Sequence, residues 1–279
     1  MIDAELPIGV FDSGMGGLTV LSALQTALPT ESFIYLGDSA RLPYGNKSAA
    51  TVQQYALQAS SALVDRGIKA LVVACNTASA AALPLLAQRY APLPVFGVIE
   101  PGAHAAATAA GGRSVLVLAT EGTVMDGTYQ RALLAVSPHL TVHARACPLW
   151  VTLAEQGYTQ DSQEAETVAD AVLAHGLRGF QDRPLVLLLG CTHFPLLREQ
   201  LEQLWPHIHW VDSGEAIARR VASLLPGSEE LSSKGALNCY WTDRHQVPQG
   251  AINYLSALSD VINQGCLGPD FVIQDIESV

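Results

Sequence analysis

Nine short apolar runs spaced along the chain constrain its fold more than any other feature. They are 8-IGVF-11, 33-FIYL-36, 70-ALVVA-74, 95-VFGV-98, 114-SVLVLA-119, 140-LTVHARA-146, 185-LVLLL-189, 208-IHWV-211 and 237-LNCYW-241. Most are continuously apolar rather than alternating, which is how strands buried on both faces of a parallel sheet read. Ala/Leu-rich stretches of helical character follow many of them. The stretch 48-SAATVQQYALQASSALVDRG-67 reads as a helix that Gly67 stops after a basic last turn. In 213-SGEAIARRVASLL-225, Ser213 is a fitting cap and Glu215 suits a positive helix N-terminus. The alternation predicts an α/β protein of doubly wound, mostly parallel sheets.

A weak internal repeat divides the chain. A shift of 116 sets Cys191 on Cys75 and aligns 71-LVVACNTASAAALPLL-86 with 187-LLLGCTHFPLLREQLE-202. Each copy reads as apolar strand, small residue, Cys, polar pair, helix. A shift of 108 lays 117-VLATEG-122 over 9-GVFDSG-14. Two pseudo-symmetric domains follow, with the active site expected in the cleft between them. Pro/Gly-rich crossings at 92-PLPVFGVIEPG-102 and 205-WPHIHWVDSG-214 set the boundaries. The first domain takes residues 1–97 plus 209–279, and the inserted second takes 98–208.

The 279 residues are enough for two cores, and 49% apolar against 15% charged residues implies much interior. A net charge of −11 with only Lys47, Lys69 and Lys234 leaves no basic patch for nucleic acid or anionic lipid. No run approaches the roughly 18 apolar residues that span a bilayer, and MIDAELP lacks the basic start of a signal peptide. A cytoplasmic protein is expected. Five cysteines without a C-x-x-C pair argue against both a disulfide framework and a structural zinc site.

In open parallel sheets, ligands bind beyond the carboxyl ends of the strands. Asp12-Ser13, Cys75-Asn76-Thr77 and Cys191-Thr192-His193 fall at such ends. If the halves face each other, two cysteines look into one cleft, and a helix N-terminus lowers thiol pKa enough for both to supply thiolate near neutral pH. Two thiols flanking a small ligand suit removal of a proton from one face of a carbon and return of a proton to the other, which is racemisation or epimerisation. Cys147, Cys239 and Cys266 lack this context and read as inert core thiols.

Other residues fit around that pair. Asp12 can accept from an ammonium group or steer proton transfer, and the glycines after it let backbone approach a ligand. His193 can tune the thiol two residues before it or act as acid and base. The polar connection 37-GDSARLPYGNKS-48 offers the Tyr44 hydroxyl and the Gly45 backbone as donors over the cleft. A Cys-x-His pair alone is an incomplete metal site, so no metal is expected. Pyridoxal chemistry needs a Schiff-base lysine and a phosphate cup, and neither Lys47 nor Lys69 has a flanking phosphate signature. No cofactor is expected.

Two rivals remain at this level. Gly14-Met15-Gly16-Gly17-Leu18-Thr19 followed by Asp38 resembles a dinucleotide loop with a ribose carboxylate, which makes a nicotinamide-dependent oxidoreductase. Thr19 in the sixth position and Asp12 facing the pyrophosphate count against it. The second rival is a non-catalytic protein that binds an acidic amino acid.

Together, 8-IGVFDSGMGGLTVL-21, 35-YLGDSARLPYG-45, 73-VACNTASA-80, 147-CPLWVTLAEQG-157, 189-LGCTHFPLL-197 and 211-VDSGEAIA-218 resemble the cofactor-independent glutamate racemases of the aspartate/glutamate racemase superfamily. The resemblance implies interconversion of L- and D-glutamate, supplying D-glutamate for peptidoglycan. It implies that Cys75 exchanges the proton on the D-face and Cys191 that on the L-face, with Asp12, His193 and Glu155 assisting. Ser13, Tyr44, Gly45, Asn76, Thr77 and Thr192 match its substrate-binding positions. The family often has Pro where Thr152 stands. Its members frequently dimerise, which makes a homodimer one arrangement to test. The blocks begin within a dozen residues of Met1, so activation by a peptidoglycan precursor through an extended N-terminus is not expected. Aspartate is the alternative substrate within the superfamily.

Overall fold

A computed structural model describes residues 5–156, 163–180, 185–225 and 235–243. Cys266, Lys234, Gly157 and the rest of the first-domain segment after residue 243 lie outside the described residues. The strands are β1 (Ile8–Asp12), β2 (Phe33–Gly37), β3 (Ala70–Val73), β4 (Val95–Gly97), β5 (Ser114–Ala119), β6 (Val142–Ala146), β7 (Leu185–Gly190), β8 (His209–Asp212) and β9 (Leu237–Trp241). The helices are α1 (Gly17–Ala27), α2 (Ala49–Val64), α3 (Asn76–Tyr90), α4 (Ile99–Ala110), α5 (Glu121–Asp126), α6 (Thr128–Val136), α7 (Pro148–Gln156), α8 (Gln163–Gly176), α9 (Arg198–Leu204) and α10 (Ser213–Leu224).

Each apolar run forms a strand, and every described pairing is parallel. One sheet runs β4-β3-β1-β2-β9 and the other β6-β5-β7-β8. Read from its far edge, the second is β8-β7-β5-β6, which is the order of the first four strands. The repeat seen in the sequence is therefore a topological one: β1 corresponds to β5, β2 to β6, β3 to β7 and β4 to β8. Only β9 has no counterpart among the described strands.

That correspondence moves one expected boundary. A break at residue 209 puts β8 in the first domain, yet β8 pairs with β7 in the second sheet. The Pro/Gly-rich segment that suggested the break precedes the fourth strand of the second half rather than following it.

The helices after the fourth strands are exchanged between halves. Ile217, Ala218 and Val221 of α10 pack with Ile8, Val10, Leu18 and Leu21 on the first sheet. Ile99, Ala103 and Ala106 of α4 pack with Val115, Val117 and Leu188 on the second. The remaining faces are covered by α2 and α3 on the first sheet and by α7, α8 and α9 on the second. Each buried Val, Leu or Ile contributes roughly 1.5–3 kcal/mol, so the exchange binds the halves through apolar burial.

Local signals mostly hold. Ser48 caps α2 by accepting from Thr51 N, and Gly67 takes a left-handed φ of 73° just past the helix, where a side chain would be strained. The cap of α10 differs from expectation. Asp212, not Ser213, accepts from Gly214 N at 2.6 Å, because the helix begins directly where β8 ends. The Ser213 hydroxyl turns inward, 3.2 Å from Leu189 O.

Candidate active site

A cavity of about 220 Å³ lies where the two halves meet. Its walls come from the connections after β1, β2 and β3 in one half and after β5, β6 and β7 in the other. The carboxyl ends of two pseudo-equivalent sheets thus face each other, and a parallel sheet collects its functional loops at that edge. Cys75 and Cys191 both line the cavity, at 4% and 5% exposure.

Cys75 stands just past β3 as the N-cap of α3. Its Sγ is 3.4 Å from the Ser13 hydroxyl and accepts from Ala78 N at 3.5 Å. Helix N-termini favour thiolate, which led to the expectation of a lowered pKa. The opposite holds here: burial, aided by the charge of Asp12, pushes the Cys75 thiol up to about 12. Asp12 lies behind the cavity wall, fully buried, where its carboxylate accepts from Gly14 N at 2.9 Å and from the Thr192 hydroxyl at 3.4 Å. Burial raises its pKa against the opposing charge of His193.

Cys191 directly follows β7, and His193 Nδ1 is 3.7 Å from its Sγ. On its other side, His193 Nε2 lies 3.1 Å from Glu155 Oε1, an ion-pair approach whose angle falls short of a hydrogen bond. Burial alone would depress His193, but its contacts with Cys191 and Glu155 outweigh that and lift it to about 10. Glu155 reaches this position from α7, which runs unbroken through Thr152. A thiol, an imidazole and a carboxylate are therefore connected in line, with the carboxylate end 20% exposed.

The remaining expected residues gather as well. Ser13, Tyr44, Gly45, Asn76, Thr77 and Thr192 all line the cavity. One role is corrected: the Tyr44 hydroxyl is not available as a donor, because it is bonded to the buried Asp38 carboxylate. Tyr44 offers its ring and backbone instead. A Cβ at Gly45 would lie 2.6 Å from Thr120 Cβ, so the loop reaches across the cleft only with glycine there.

The motifs missed Thr120, Glu121 and Thr123. The Thr77, Thr120 and Thr123 hydroxyls form a closed triangle with edges of 3.0, 3.1 and 3.0 Å, and Thr120 and Glu121 line the cavity. The repeat carried the signal, since the shift of 108 places Thr120 on Asp12 and Glu121 on Ser13.

The dinucleotide reading loses its space. A Cβ at Gly16 would lie 2.4 Å from Thr192 Oγ1 and 2.7 Å from His193 Nδ1, so this loop packs against the second half. Asp38 is committed to Tyr44, Arg41 and Thr242 rather than free for a ribose. Cys147 and Cys239 are buried away from the cavity, as core thiols would be. Among the described residues, no three His, Cys, Asp or Glu side chains are arranged to hold a metal ion. No described helix is long and apolar enough to cross a membrane.

Comparison with known proteins adds an independent line. The family described as Asp/Glu/Hydantoin racemase matches residues 8–221. A glutamate racemase of Geobacter metallireducens is 48% identical over 249 residues, covering 88% of this chain and 89% of the relative. Among solved structures, glutamate racemase from Thermus thermophilus in complex with β-chloro-D-alanine superposes with a TM-score of 0.78 at 41% identity, covering 91% of this chain and 94% of that one. Glutamate racemase from Francisella tularensis in complex with D-glutamate gives 0.80 at 31% identity, covering 91% and 95%.

Proposed function

Because the chain belongs to the Asp/Glu/Hydantoin racemase family and is an isomerase acting on an amino acid, we propose that it interconverts L- and D-glutamate with one cysteine thiol on each face of the α-carbon. One observation carries the reading. Two cysteines at equivalent strand ends of two pseudo-equivalent sheets line a single amino-acid-sized cavity, Cys191 beside His193 and Cys75 beside the Ser13 hydroxyl.

The two sides differ in their neighbours. Cys191 sits against His193, which its contacts with Cys191 and Glu155 hold protonated. Cys75, held up by burial, is a thiol. In the L-to-D direction the Cys191 thiolate takes the α-proton, and the Cys75 thiol delivers its own to the opposite face. In the reverse direction Cys75 gives up its proton toward Asp12, whose own pKa burial raises, and His193 with Glu155 returns a proton to Cys191. No bond from sulfur to carbon forms, so each turnover leaves the thiols with one proton between them. The Asn76 amide and the Ser13 hydroxyl, with the backbone N–H groups of Thr77 and Thr192, supply donors for the substrate carboxylates. The D-glutamate formed would feed peptidoglycan.

Loss of either thiol should cost what a positioned acid or base contributes, about 10²–10⁴-fold in racemisation rate. We expect that loss for Cys75→Ala and for Cys191→Ala, followed by polarimetry with glutamate and no added cofactor. Racemisation at the unaltered rate by either variant overturns the assignment. Aspartate turned over faster than glutamate would correct the substrate.

A further inference from the structure

We propose that Tyr129 is a positioning residue, whose hydroxyl fixes the Asn76 amide so that Nδ2 is presented to a substrate oxygen. The inference rests on the reading that Asn76 binds substrate.

Asn76 follows Cys75 at the start of α3, is 2% exposed, and lines the cavity. An amide side chain can face either way, and its two ends have opposite hydrogen-bonding character. In this protein Oδ1 accepts from the Tyr129 hydroxyl at 2.6 Å. Ser213 also approaches Oδ1 at 3.5 Å, but its hydroxyl lies closer to Leu189 O, at 3.2 Å. A hydroxyl has one proton to give, so Ser213 spends it on Leu189 and Tyr129 is the donor that orients Asn76.

The Tyr129 phenol is suited to that task. It is fully buried in α6, and burial raises its pKa, so it stays a protonated donor. Two glycines make room for it. A Cβ at Gly190 would sit 3.0 Å from its ring, and one at Gly102 would sit 3.3 Å from its hydroxyl. Turning the amide over would let Nδ2 donate to the phenol oxygen but would take from the buried Tyr129 proton its Asn76 acceptor.

Nδ2, meanwhile, has no hydrogen-bond partner among the described residues. An unmet buried donor is costly, and a substrate carboxylate supplies the missing acceptor. Tyr129 comes from the second half and Asn76 from the first. The bond therefore sets the direction of a donor in one half from the other half, next to a reacting thiol.

The test is Tyr129→Phe, which keeps the ring and removes the hydroxyl. Presentation of Nδ2 to the ground state and transition state alike predicts a KM for glutamate raised about tenfold, with kcat within about twofold. Asn76→Ala should raise KM by itself, and adding Tyr129→Phe to it should change nothing further. Ser213→Ala should move KM less than about twofold, since its proton goes to Leu189. Tyr129→Phe with unchanged KM, or with an effect fully additive to Asn76→Ala, overturns the inference. A Ser213→Ala effect as large as that expected for Tyr129 overturns it too, and remains readable if Tyr129→Phe folds poorly. Asn76→Ala with unchanged KM overturns the underlying reading of Asn76, a separate failure.

Discussion

Within the site, each group's protonation follows from its neighbours more than from its position on a helix. Cys75 caps α3, yet burial and Asp12 push its thiol up to about 12. His193 is the reverse case, lifted to about 10 against burial by Cys191 and Glu155. Its folded pKa lies above the ordinary 6.5, so the stability it contributes is fully present below pH 6.5 and is lost as pH rises toward 10. Cys75 acts in the same sense but only above its ordinary 9.0. Urea unfolding at pH 6, 8 and 9 should therefore show wild-type stability falling through this window, with a shallower fall for His193→Asn. Equal slopes would mean that His193 is not held charged by its partners. The Cys191–His193 contact was legible in residue order, but its Glu155 end was not, because Glu155 and His193 meet only when α7 folds against the end of β7.

Elements were the most legible level. Nine apolar runs became nine strands because strands covered by helices on both faces must be apolar on both, and that leaves a continuous run in the sequence. What was not legible was which sheet the fourth strand of the second half joins, since 208-IHWV-211 reads alike in either. Sheet order, not run composition, assigned β8. The turn after β1 shows another limit. Its glycines looked like room for a ligand, but at Gly16 the space is filled by Thr192 and His193 of the other half. Gly16 has an ordinary helical φ of −58°, so its backbone accepts alanine and only the side-chain contact opposes it. We expect Gly16→Ala to displace His193, lowering kcat at least about tenfold and costing roughly 1–3 kcal/mol in unfolding free energy. Steady-state kinetics with chemical denaturation checks this, and unaltered kcat would show that the contact is not transmitted to the imidazole.

At the scale of the whole molecule, the site belongs to neither half alone. Crossing bonds hold the cleft: Thr19 Oγ1 donates to Thr192 O at 2.9 Å, Thr192 to Asp12, and Tyr129 to Asn76. The exchange of α4 and α10 adds apolar burial to those bonds. The Cys75/Cys191 pairing was visible as a repeat, and the repeat proved to be the symmetry of the fold. Thr120 and Glu121 show how much a single chain conceals, since they stand at the positions equivalent to Asp12 and Ser13 with different side chains. The halves keep the geometry and diverge in chemistry, so motif matching finds one copy and passes over the other.

The central claim is that a different thiol serves each face of the α-carbon, and isotope placement tests it most directly. L-Glutamate is incubated with the protein in deuterium oxide, and the reaction is stopped after a small fraction has turned over. With two thiols, the D-glutamate formed carries deuterium at the α-carbon while the recovered L-glutamate remains unlabelled. Deuterium appearing equally in recovered substrate and product, or protium carried from substrate into product, would mean that one base serves both faces and would contradict the account.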